Sequence, residues 1–122
     1  MTASSASLVD LARDAANAVD ALLADATRHV RERVMKAGKL SAQSLEREQH
    51  AVHGLAWLAT YAEAVREMGA YAERMGAQGR FGRTEELLTR IGLGEYLAQV
   101  FGGIPMNQGE VVRPTDFGVT PR

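Results

Sequence analysis

Cysteine is absent from this chain, which excludes a disulfide framework, a thiolate metal site and a thiol nucleophile. Proline is confined to positions 105, 114 and 121, so everything before Pro105 is free of the strongest helix breaker. Neither charge sign prevails. The 14 Lys and Arg stand against 15 Asp and Glu, a formal net charge of -1, which gives no electrostatic case for nucleic acid or an anionic membrane as partner. Long apolar runs are also missing: charges recur well short of the ~18 uninterrupted apolar residues of a transmembrane span. Met1 to Ser7 is small and polar, without the basic-then-apolar order of a secretory signal, and a cytoplasmic location is expected.

What is present favours helix. Hydrophobic residues make up 46% and charged residues 24% of the 122 residues, the composition and size of one globular domain. A chain of this length buries roughly two-thirds of the surface it exposes when unfolded, enough for a real core. β-branched residues are sparse, while Ala, Leu, Glu and Arg dominate, which predicts long helices.

The first helix is predicted from Leu8 to about Ala37. Leu8, Leu11, Ala15, Val19, Leu22, Ala26, Val30 and Val34 recur at intervals of three or four and draw one apolar stripe. Ser7 is placed to cap it and Asp10 falls in its first turn, while Arg31, Arg33, Lys36 and Lys39 crowd the other end, the order the helix dipole favours. Gly38 is the expected C-cap.

A second helix opens at Ser41 or Ser44 and runs to about Met75. It carries two adjacent stripes: Leu55, Leu58, Ala62, Val65, Gly69 and Ala72, and beside them Trp57, Tyr61, Ala64, Met68, Tyr71 and Met75. So wide an apolar face belongs to a helix touching more than one neighbour. After a glycine-rich turn from Gly76 to Arg83, Thr84 is the expected cap of a third helix. Its apolar face is predicted from Leu87, Leu88, Ile91, Leu97, Ala98 and Phe101. Gly92 and Gly94 inside it each cost about 1 kcal/mol relative to Ala, which makes sense where another backbone approaches closely. Gly102 and Gly103 end it.

The expected fold is therefore all-α: an antiparallel three-helix bundle, with two long helices of about 45 Å and one shorter. Residues 1–102 form the bundle, and residues 103–122 an extended Gly- and Pro-containing tail, either a linker or a strap lying on another surface.

Candidate site residues are few. Glu46, His50 and His53 fall on one side of the second helix at offsets that suit a metal, but the Glu-x-x-His pairs of di-iron bundles are missing: Arg47 and His50 stand where the glutamates belong. No metal site is expected. Arg47 and His53 also loosely resemble the Arg-to-His spacing of helical HEPN ribonucleases, with Glu48 in place of the usual small polar residue. Trp57 and Tyr61 are candidate contact residues if the broad second-helix face lies open. Glu95, four after Ile91 and three before Ala98, is expected to face inward and to pair with His50, His53 or an arginine, because an unpaired buried carboxylate is costly. Gly76 to Gly82 lacks the Gly-Lys-Ser/Thr ending of a phosphate loop. No catalytic, cofactor-binding or metal-binding residue is assigned.

The segments LEREQHAVHGLAWLATY (45–61) and GEYLAQVFGGIPMNQGEVVRPTDFG (94–118) resemble the N-terminal helical extension of a subgroup of bacterial acyl-CoA dehydrogenases, those acting on short branched dicarboxylic acyl-CoA thioesters in the ethylmalonyl-CoA pathway. Members are homo-oligomeric flavoproteins in which a glutamate removes the α-proton and hydride passes to FAD. No part of this chain matches the flavin site, the β-domain or that glutamate, so no catalytic residue carries over and Glu95 is not its counterpart. The resemblance implies a non-catalytic accessory or assembly domain. FAD would be held in the parent enzyme rather than in this chain, and the partner would be the catalytic core. The alternative is a free-standing helical interaction module whose partner is a second copy of itself.

Overall fold

The computed structural model describes residues 3–120, with side chains from residue 8 onward. Helix α1 spans Ala3–Val34. Ser7, the expected cap, has no described side chain, and the backbone there is already helical. A two-residue hairpin follows, β1 (Met35–Lys36) against β2 (Lys39–Leu40). Gly38 is therefore a turn residue and not a helix cap. Ala37 and Gly38 both take positive φ, 52° and 78°, as the tightest hairpin turn requires.

Ser41 caps α2, Ala42–Arg47, its Oγ accepting from the Ser44 amide at 3.2 Å. The chain then breaks at Glu48, and α3 runs Gln49–Ala77. The second predicted helix is thus two. Helix α4 spans Arg83–Gly102, starting one residue before its expected cap at Thr84. Gly82 precedes it, and its amide donates to Glu85 Oε2 at 3.1 Å, one half of a capping box.

Lateral contacts fix the directions. Going up α1, Arg13 meets Glu73 at 2.9 Å and Arg33 meets Glu48 at 3.6 Å, so α1 and α3 are antiparallel. Going up α3, Tyr61 meets Gln99, while the position a Cβ would take on Gly92 lies 2.6 Å from Met68 Sδ; α3 and α4 are antiparallel too. The all-α bundle is as expected, and its α1–α3 seam is built from small residues. Ala12, Ala16, Val19 and Ala26 share one core with Ala62, Val65 and Ala72, and a methyl on Gly69 would stand only 3.5 Å from the Ala12 carbonyl oxygen. Small side chains let the backbones close up, and dense packing follows. The Arg13–Glu73 pair on this seam is exposed and adds little.

The tail is extended in short pieces and lies on the bundle. β3 (Ile104–Asn107) pairs antiparallel with β4 (Glu110–Val112), Ile104 opposite Val112. Asn107 shapes the turn, its Oδ1 accepting from the Gly109 amide at 2.8 Å. A single 3-10 turn, Pro114–Phe117, follows. Ile104, Val112 and Phe117 are each 1% exposed and belong to the helical core. Arg33 reaches over from α1 to donate to the Asp116 carbonyl at 2.9 Å. Gly118 then turns the chain at φ 90°, a conformation side chains rarely adopt, directly beside the Arg33 guanidinium. Among the described residues, no helix is long and apolar enough to cross a membrane.

Candidate interaction site

His50 and His53 stand at the start of α3, beneath the β3–β4 hairpin. His50 Nδ1 lies 3.6 Å from Glu110 Oε2, and its Nε2 lies 3.7 Å from Asp116 Oδ2. These separations are too long for strong hydrogen bonds, so the contacts gain strength only when the imidazole is protonated. His53 Nε2 accepts from Trp57 Nε1 at 3.1 Å, which places the neutral ring's proton on Nδ1. Glu46, the third member of the considered metal trio, sits on α2, across the break at Glu48. Among the described residues, no three His, Asp or Glu side chains gather as metal ligands. Sequence spacing could not have found Glu110 and Asp116, which the folded tail brings to His50; the Asn107-Gln108-Gly109 turn between apolar residues was the available signal.

The Glu110 carboxyl is held below the ordinary carboxylate value of 4.5, first by the Asn107 side-chain amide at 2.7 Å, then by the neighbouring His50 and His53. A carboxylate depressed in the folded state contributes stability that is full above its unfolded value and is lost as pH falls through the folded one. Acid titration below about pH 4.5 is therefore expected to loosen the hairpin. Glu110→Gln should flatten that part of the stability–pH profile, read as denaturation midpoints from pH 6 down to pH 3; an unchanged slope would show that Glu110 is not the group responsible.

The expected contact face of α3 is used inside the molecule. Tyr61 is buried, its hydroxyl donates to Gln99 Oε1, and its ring meets Tyr96 edge-on with centroids 4.8 Å apart. Burial pushes the phenol pKa up, and Tyr96 adds to this, so Tyr61 stays a donor and locks α3 to α4. Trp57 is half-buried against the core.

Glu95 departs from expectation. It is exposed, and among the described residues no hydrogen bond or ion pair holds it. Most of the predicted face of α4 is turned outward: Thr89, Leu93 and Val100 are buried, while Leu87, Leu88, Ile91 and Phe101 are 45%, 60%, 62% and 59% exposed; of the expected inward residues, Leu97 packs against the core. Helix α4 is apolar on most of its circumference, so periodicity offers two faces. Contacts choose between them: Tyr96 and Gln99 meet Tyr61, and Met68 fills the space that Gly92 leaves. The close approach expected at Gly92 is thus by a side chain. At Gly94 a Cβ would meet nothing within 4 Å.

Phe101 also walls a groove of about 900 Å³ between α1 and the tail, shared with Ala18, Ala21 and Leu22 of α1 and with Pro114, Val119 and Thr120. Its charged residues are Asp25 and Arg113, and the Arg113 Nε is committed to the Gly102 carbonyl at 3.0 Å. Neither this groove nor the histidine corner, flanked by Glu110 and Asp116, fits a flavin. A pyrophosphate needs converging free donors and not nearby carboxylates.

No protein-family model matches the chain. Over 112 residues, 92% of its length, it is 50% identical to (2S)-methylsuccinyl-CoA dehydrogenase of Cereibacter sphaeroides. The similarity therefore reaches well beyond the segments 45–118 and into the first helix. The chain spans only 20% of that relative's length.

Proposed function

We propose that these residues are the N-terminal helical segment of an FAD-dependent acyl-CoA dehydrogenase acting on a short branched dicarboxylic acyl-CoA thioester, and that the segment serves packing and assembly. The observation carrying this reading is 50% identity sustained over 92% of the chain to a dehydrogenase of which it spans one-fifth. Flavin and thioester chemistry belong, in this reading, to the other four-fifths; when bound there, FAD accepts the hydride. The residues described above hold α3 to α4, through Tyr61 with Gln99, and the tail to the bundle, through Arg33 with the Asp116 carbonyl.

The rival reading is a free-standing bundle that self-associates through its exposed apolar face. The mass of the native polypeptide in its source cells separates the two. A polypeptide about five times this length whose bound flavin is reduced by such a thioester supports the first. A native product of 13.2 kDa overturns it.

A further inference from the structure

We infer that the outer face of α4 is the seat on which the rest of the same polypeptide docks. The inference rests on the reading above and adds the surface and its occupant. Leu87, Leu88, Ile91, Ala98 and Phe101 share one side of the helix, opposite the buried Thr89, Leu93 and Val100. Scattered exposed leucines are ordinary, but a stripe running the length of a helix marks a surface that another surface covers. Gly94 lies within the stripe, facing open space. A glycine inside a helix weakens it, and nothing in this bundle uses the room, whereas a helix seated on the face would gain close approach. Glu95, exposed on this same side four residues after Ile91 and unpartnered among the described residues, calls for a cation on the partner.

The tail decides the occupant. Phe101 ends the stripe and begins the groove, and Val119 and Thr120 line that groove's other wall. Thr120 therefore lies beside the edge of the apolar surface itself. The similar dehydrogenase is about five times as long, so in such a protein the following domain is tethered within a few residues of the face. Docking is then intramolecular, at an effective concentration on the order of millimolar for a short linker. A second copy has no such advantage.

The test uses the full-length polypeptide carrying Leu88→Glu with Ile91→Glu, and separately Gly94→Gln. Both sets of positions are exposed, and Gly94→Gln places a better helix former in open space, so the bundle itself should be unharmed. Tryptic cleavage at the junction after residue 120 and hydrogen exchange of the α4 amides are measured. Each variant should be cut at least ten-fold faster than the parent, with faster exchange in α4, while Leu40→Glu, at an exposed site on the other hairpin, changes neither. Unchanged cleavage and exchange in both variants would overturn the docking, as would a fall in oligomer mass with junction cleavage unaltered, which would assign the face to a second copy. A native polypeptide of this chain's own length would instead sink the underlying reading, so the failures are distinguishable.

Discussion

Replacing Phe117 by Ala is expected to lower stability by ~3–5 kcal/mol, a large share of the ~5–15 kcal/mol that holds a domain of this kind together. Phe117 is among the largest fully buried side chains, at 1% exposure, although it sits near the end of the described chain. Its 3-10 turn is held against α1 by the Arg33 bond to the Asp116 carbonyl and is closed by the Asp116 carboxylate accepting from the Arg113 amide at 2.7 Å. Removing the ring leaves a void that these polar contacts prevent from collapsing, which is why the upper part of the range applies. Urea denaturation followed by circular dichroism measures the loss. A change below about 1 kcal/mol would mean that the tail is a detachable linker rather than a strap.

The second large effect is expected at Gly54, where α3 passes under β4. A methyl group there would come within 2.5 Å of Val112 Cγ2 and 2.9 Å of Val112 Cβ. Val112 is 1% exposed and has nowhere to move. Gly54→Ala gains about 1 kcal/mol of helix propensity, but overpacking costs about 1–3 kcal/mol, so the net change is a loss. Val112→Ala alone costs ~2 kcal/mol by leaving a cavity. The double variant should be more stable than the two losses predict by at least about 1 kcal/mol, because the new methyl occupies the space the valine vacates. Strict additivity in a double-mutant cycle would show that the hairpin does not seat on Gly54.

Much of this architecture is written in local pattern. The stripes of α1 and α3 were legible because apolar residues recur there at helical intervals with polar residues between them; Val19, Leu58, Ala62 and Val65 all lie in the core. Leu11, on the same predicted stripe, is 57% exposed. The hairpin was harder to see. Its strands are four and three residues long, too short for alternation to stand out, and the proline at 105 reads as a strand breaker. The break at Glu48 has no local signal either, and it separates Glu46 on α2 from His50 on α3.

The distinction runs along the range of the forces involved. Helix class, the positions of the long segments and the stripe by which α1 and α3 meet follow from residues within a few positions of one another, and the sequence alone determines them. Which side of α4 turns inward, and whether the tail lies down, depend on partners far along the chain: Tyr61 for Tyr96 and Gln99, Met68 for Gly92, Arg33 for Asp116, Gly54 for Val112. On a helix whose apolar residues are spread round its circumference, local pattern leaves two faces to choose from, and only side-chain fit against the neighbouring helix decides between them. That choice leaves Leu88 and Ile91 facing outward, 60% and 62% exposed.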